Sequence, residues 1–270
     1  MIWPAEDLWQ DLVALQPGLT IEVLPQIDSS NSELMRRARA GQADPVLLVA
    51  ESQTAGRGRL GRAWHSQRGD TLTFSLGLML APADWSGLSL AVGLSLARSL
   101  DPQGTHGVRL KWPNDLWVAR PDSTLGWGKL AGVLIESAVT AGAGVPAQRY
   151  CVIGVGINIA PPQAQGLTTE PLGWQDLHPG ASAPAVLRQV AQPLLRDVLA
   201  FERQGFAPFQ QAFNARDALR DLPVQLSDGR SGQAMGVDAS GALQVRTAQG
   251  LQTITSAEVS VRPQPSSSPT

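Results

Sequence analysis

Val46-Leu47-Leu48-Val49-Ala50-Glu51-Ser52-Gln53-Thr54-Ala55-Gly56-Arg57-Gly58-Arg59-Leu60-Gly61-Arg62 joins an apolar run to a loop in which three glycines alternate with three arginines. The apolar run reads as a buried strand. Glycine tolerates backbone angles that other residues avoid, so the loop can bend sharply. Arginine stays protonated at any working pH, so the loop presents fixed positive charge. Such a loop at the end of a strand suits a phosphate or a carboxylate. The same residues also fit a flexible nucleic-acid-binding segment or a merely solvated turn. The rest of the chain has to decide.

At 270 residues the chain can hold one large domain or two modest ones. With 43% hydrophobic and 16% charged residues it can bury a core. A formal charge of −2 argues against a general nucleic-acid binder, which carries a basic face. Cys151 is the single cysteine, so an internal disulfide and a cysteine zinc site are excluded. Three widely spaced histidines argue against a dedicated metal cage. The N-terminus has no signal-peptide pattern, and no apolar run is long enough to cross a bilayer. The expectation is a cytoplasmic protein with no membrane or nucleic-acid partner.

Residues 5–16 read as a short amphipathic helix and residues 19–25 as a strand. Ser30 with Glu33 three residues on fits a capping box, opening a helix that runs to about Ala40. Strands are expected over 46–52 and 71–80, and a helix over 84–100. Two short strands flank the turn Pro113-Asn114-Asp115. Residues 119–128 read as a polar hairpin tip, and Lys129 leads the next strand. Residues 149–159 form another, in which the Gly154-Val155-Gly156 pattern is too weak for a dinucleotide fingerprint. Residues 160–183 read as a surface connection. Helices follow over 184–204 and about 208–219. Beyond Asp221, short strands over 224–226, 232–237, 242–246 and 252–255 alternate with turn residues, the texture of a small β-domain. The Pro/Ser-rich tail, 263–270, reads as disordered.

Four motifs stand in fixed order. They are Gly56-Arg57-Gly58-Arg59-Leu60-Gly61-Arg62, Lys111-Trp112-Pro113-Asn114-Asp115, Lys129-Leu130-Ala131-Gly132 and Gly154-Val155-Gly156-Ile157-Asn158. With Asp28-Ser29-Ser30-Asn31 ahead of them, the set resembles the biotin protein ligase family from about Ile21 to Arg262. Leu60 stands where an arginine is common, and residues 119–128 are longer than the family's pattern. The segment 1–18 is too short for a helix-turn-helix, so the resemblance is to the class without a DNA-binding domain. It implies an α+β fold: a mixed sheet packed with helices, class II synthetase-like, over 19–220, then a small SH3-like β-barrel over 221–262.

The resemblance also implies a reaction. The carboxylate of biotin attacks the α-phosphate of ATP, with Mg2+ on the phosphates, giving biotinyl-AMP and pyrophosphate. A lysine of the biotin carboxyl carrier domain of acetyl-CoA carboxylase then takes the biotinyl group and releases AMP. By the resemblance, Ser29, Ser30, Asn31 and Gln53 bind biotin, with Gly56, Gly58, Gly132 and Gly154 shaping its site. Lys129, Arg57 and Arg59 act on the carboxylate and phosphate. Arg62, Trp64, Lys111, Asn114, Asp115 and Asn158 lie on the nucleotide side. Lys111 either reaches the phosphates or pairs with Asp115. The alternatives are a lipoate–protein ligase, a biotin-sensing regulator, or a nucleic-acid binder using the Arg-Gly loop. Monomer and homodimer both remain open.

Overall fold

The computed structural model describes residues 1–120, 126–139, 148–162, 170–255 and 261–263. Its first sheet is built from β1 (Thr20–Leu24), β2 (Val46–Ala50), β3 (Thr71–Leu80), β4 (Val108–Lys111), β5 (Asp115–Ala119), β6 (Trp127–Ala138) and β7 (Arg149–Asn158). Their order is β1-β2-β3-β7-β6-β5-β4, with the short β8 (Glu170–Pro171) added beside β6. The β1–β2 and β6–β8 pairs are parallel and the others antiparallel, so the sheet is mixed.

Helices cover both faces of this sheet, which explains why β2 is apolar at every position rather than at every second one. Leu47 and Val49 face one core, together with residues of α1 (Ala5–Val13), α3 (Leu88–Leu100) and α4 (Ala183–Gln204). Val46 and Leu48 face a smaller core under α2 (Ser30–Arg39). Strand β3 divides its residues the same way. Leu72, Phe74, Leu76 and Leu78 go to the large core, leaving Thr71, Thr73, Ser75 and Gly77 on the α2 face. That second face, polar and glycine-rich, is where a ligand can lie against the sheet.

The chain then forms α5 (Gln210–Arg216) and a five-stranded antiparallel sheet of β9 (Pro223–Leu226), β10 (Ser231–Val237), β11 (Leu243–Thr247), β12 (Gly250–Ile254) and β13 (Val261–Pro263), in the order β12-β11-β10-β9-β13. The indole Nε1 of Trp112, fully buried, donates to the carbonyl of Gly241 at 3.1 Å and ties this sheet to the turn after β4.

Several expectations need correction. The cap of α2 is Ser29, whose Oγ accepts from the Ser32 amide. Glu33 does not complete a box but pairs with Arg36 and Arg37. The helix expected to 219 stops at Arg216, where Asp217 bridges to Leu110. The connection 160–183 is not all surface, since Leu172 and Trp174 are 2% exposed and enter the large core. Pro263 closes β13 rather than opening the tail. Residues 264–270 and the hairpin tip at 121–125 lie outside the described residues.

Candidate functional site

A cavity of about 390 Å³ opens on the α2 face of the sheet. Ser30, Asn31, Gln53, Arg57, Gly58, Arg59, Arg62, Trp64, Lys111, Asn114, Asp115, Lys129, Gly132, Gly154 and Asn158 all line it. Segments far apart in sequence thus supply a single wall. Among the expected site residues, Ser29 and Gly56 are outside the lining. Ser29 caps α2. Gly56 sits where a Cβ would lie 2.3 Å from the Trp64 carbonyl. Its glycine is required by close approach, not by a hinge. The positive φ angles in the loop fall at Leu60 (56°) and Gly61 (71°) instead. Leu60 therefore holds a left-handed conformation that β-carbon crowding disfavours, with its side chain exposed.

One end of the cavity is neutral and hydrogen-bonding. The Gln53 Oε1 accepts from the Ser30 amide at 2.7 Å and from Ser30 Oγ at 3.1 Å. Ser75 Oγ, fully buried, lies 2.7 Å from Ser30 Oγ and 2.6 Å from Asn31 Oδ1. Asn31 Nδ2 donates to Leu134 O and to Glu136 Oε2. A Cβ on Gly154 would lie 2.2 Å from Asn31 Oδ1. The space that Gly154 leaves is thus filled by Asn31 rather than left open for a ligand.

The other end is charged. Four cationic side chains, Arg59, Arg62, Lys111 and Lys129, line it with one carboxylate, Asp115, while Arg57, also in the lining, pairs with Glu136 beside Asn31. Lys129 Nζ stands 2.8 Å from Asp115 Oδ1, so the aspartate pairs with this lysine rather than with Lys111. Lys111 pairs with Asp115 only in strand register, and its ammonium lies 5.5 Å from the Trp117 ring. Burial drives its pKa down to about 8, against the nearby Asp115 charge. Burial likewise lowers the Arg59 guanidinium from its ordinary value, opposed by Asp115.

Two backbone devices aim Lys129. A register shift between Leu116 and Trp117 sets Lys129 opposite Trp117 and Ala131 opposite Leu116, which leaves Leu130 as an extra residue in β6. In a regular strand, residues three apart face opposite sides. The bulge lets Lys129 and Gly132 line the same cavity. Asn158 Nδ2 donates to the Lys129 carbonyl at 3.1 Å, and the Leu172 amide donates to the same carbonyl at 3.2 Å. The Trp64 indole packs against the sheet glycines Gly132 and Gly156. A Cβ on Gly156 would meet Cε2 at 2.3 Å, and Lys129 Nζ lies 5.7 Å from the ring.

Ser75 and Glu136 escaped the sequence reading, and Gly156 entered it only as part of a motif, without a role of its own. The alternation of Thr71, Thr73, Ser75 and Gly77 with large apolar residues is a signal that could have located Ser75. Among the described residues no group of three or more His, Cys, Asp or Glu could hold a metal ion, and no helix is long and apolar enough to cross a membrane.

Comparison with known proteins agrees with this geometry. The Biotin/lipoate A/B protein ligase family matches residues 23–158, and the Biotin protein ligase C terminal domain matches 224–262. The Bifunctional ligase/repressor BirA of Escherichia coli is 37% identical over 84% of this chain and 69% of its own length. The Biotin--[acetyl-CoA-carboxylase] ligase of Paracoccus denitrificans is 33% identical over 88% of this chain and 98% of its own. The biotin protein ligase from Aquifex aeolicus, solved in complex with biotin and ATP, superposes with a TM-score of 0.73 at 25% identity, covering 90% of this chain and 99% of that one. With the ordered motifs gathered in one cavity and both family regions matched, the chain belongs to the biotin/lipoate A/B protein ligase family.

Proposed function

We propose that the protein activates biotin with ATP and transfers it to a lysine of a biotin carboxyl carrier domain, the usual carrier being that of acetyl-CoA carboxylase. The observation that carries this reading is the cavity's division into a neutral hydrogen-bonding end and a cationic end, with Lys129 on the cationic side. In the first step a carboxylate oxygen attacks the α-phosphorus, the bond to the β-phosphate oxygen breaks, and pyrophosphate leaves. Two anions must approach one another, so the barrier is electrostatic. Fixed cations that need no reorganisation lower it directly. Lys129 bridges the carboxylate and the α-phosphate, with Arg57 and Arg59 closing over them. A carboxylate at neutral pH is already ionised, so this step needs no general base.

Ser30, Asn31 and Gln53 meet the ureido ring, with Ser29 acting through the cap of α2. Trp64, Arg62, Lys111, Asn114 and Asp115 face the nucleotide. Asn158 acts at one remove, by fixing the Lys129 carbonyl. ATP displaces Lys129 from Asp115 toward phosphate, and magnesium arrives with the nucleotide as part of that substrate. In the second step the neutral carrier amine attacks the acyl carbon, the bond to the phosphate oxygen breaks, AMP leaves and the amine's proton goes to solvent. The loop over the cavity keeps water from the mixed anhydride meanwhile. The chemistry is assigned to residues 19–220, with 221–262 as the small C-terminal domain.

The test is purified protein with ATP, magnesium and a biotin carboxyl carrier fragment. Biotinylated carrier and AMP are expected in equal amounts. Transfer of lipoate instead, or of nothing, overturns the reading.

A further inference from the structure

We propose that Glu136 is a positioning residue that holds the glycine-arginine loop shut over the cavity. It stands on β6 four residues beyond Gly132, and its two carboxylate oxygens serve different elements. Oε1 accepts from Arg57 Nη2 at 2.5 Å, reaching into the loop. Oε2 accepts from Asn31 Nδ2 at 3.0 Å, in the first turn of α2. Arg57 Nη1 also donates to Ser32 Oγ at 3.1 Å, so loop, helix and strand meet around one ion pair.

The pair does not stand alone. Asn31 is 3% exposed, donates also to Leu134 O, and lies over Gly154, where an added Cβ would come within 2.2 Å of its Oδ1. From Asn31 the polar contacts run through Ser75 to Ser30 and on to Gln53. Gln53 opens the loop and Arg57 lies four residues further on. The chain of contacts thus leaves the loop at its stem, crosses the cavity wall and rejoins the loop at Arg57. When the loop opens, Arg57 leaves Glu136, while Asn31 keeps the carboxylate aimed to receive it again. A charge held in place by a buried amide loses less entropy on re-pairing than a free surface carboxylate, so the contact acts as a latch.

This rests on the function proposed above, in which the cavity must retain a mixed anhydride until the carrier arrives. Glu136 touches no reacting atom. Its loss lets water in: a water oxygen attacks the acyl carbon, the bond to the phosphate oxygen breaks, AMP leaves and a proton goes to solvent. The consequence is leakage rather than slow adenylation.

The experiment compares Glu136→Gln, Arg57→Gln and the double variant. Glu136→Gln keeps shape and an acceptor for Asn31 but removes the charge. Two readouts are taken: AMP formed per biotinylated carrier, and tryptic cleavage at the loop arginines of ligand-free protein. Cleavage of an opened segment follows its open population. Glu136→Gln should raise both about fivefold, the scale of one half-exposed ion pair, with the KM for ATP unchanged. The double variant should leak no more than Arg57→Gln alone. A purely structural Glu136 would lower the melting temperature and leave the AMP-to-carrier ratio as in the parent. An unchanged cleavage rate, or effects of the two substitutions that multiply, overturns the latch. If the parent protein makes no biotinyl-AMP, the proposed function fails, and the cleavage arm still decides the latch by itself.

Discussion

Gly156→Ala separates the seat of Trp64 from every polar group in the cavity. The added Cβ would lie 2.3 Å from Cε2, 2.4 Å from Cζ2 and 2.7 Å from Nε1 of the indole. Carbon atoms in contact rest about 3.5–4.0 Å apart, so something must retreat by more than about 1 Å. Strand β7 cannot, because Gly156 is paired with Thr73 on one side and Gly132 on the other. Trp64 belongs to a loop and can. Overpacking a rigid core costs about 1–3 kcal/mol. With a yielding loop the cost stays near the low end, a melting shift of about 2–4 °C. The functional loss is larger. An aromatic platform contributes about 1–3 kcal/mol per stacked base, so its displacement raises the KM for ATP about 10–100-fold. The KM for biotin should hardly change. Gly154→Ala should do the reverse, because its Cβ strikes Asn31, which is fixed by Leu134 O and Glu136. Pyrophosphate release with each substrate varied in turn, beside a thermal melt, reads both variants. If Gly156→Ala raises the two KM values alike, the indole is not on the nucleotide side and the division of the cavity is wrong.

Lys129→Ala should slow adenylation by roughly 10²–10³-fold, the cost of one preorganised donor, with a smaller change in biotin affinity; an unaltered single-turnover rate refutes the bridging role. Asp217 is 8% exposed, its Oδ2 is unpartnered, and burial raises its pKa from 3.8 to about 6. Between those values the folded state holds more protons than the unfolded one. Stability should therefore fall as pH rises from about 4 to 6 and stay lowered above, by at most about 3 kcal/mol. Asp217→Asn should remove that slope and raise the urea midpoint at pH 7.5, and a parallel pH profile refutes the assignment. Trp112→Phe orphans the Gly241 carbonyl and should cost about 1–3 kcal/mol of stability, read by a melt, with transfer activity kept below the transition.

The elements themselves were legible because their periodicity is simple. Strand β3 runs from Thr71 to Leu80 as expected, and α4 buries Val186, Val190, Leu194, Leu195 and Val198 on one stripe. The C-terminal strands are bounded by turn residues that no packing has to override. The site was legible where ordered motifs mark it. Those motifs name residue types, not directions, and Gly154 and Gly56 show the limit. Gly56 reads as a point of bending and Gly154 as a close approach of the backbone, but only the fold shows that the Trp64 carbonyl and Asn31 are what approach them.

Glu136 was hidden for a sharper reason. Read as a regular strand led by Lys129, β6 places residues 129, 131, 133 and 135 on one face. Gly132, Leu134 and Glu136 then fall on the other. That reading sends Ala131 and Val133 toward the ligand, but both are buried in the large core. The extra residue at Leu130 reverses the phase for everything beyond it. Lys129 keeps the cavity face, and Gly132, Leu134 and Glu136 join it in turn at two-residue steps. A bulge leaves no mark in composition, because any residue of the four could be the unpaired one. It follows that removing Leu130, a one-residue deletion in an apolar run, should be far worse than substituting it. Deletion turns either Lys129 or the Gly132–Glu136 row away from the cavity, while Leu130→Ile keeps the phase. Adenylation that survives the deletion would show that the lysine and the glycine row need not share a face.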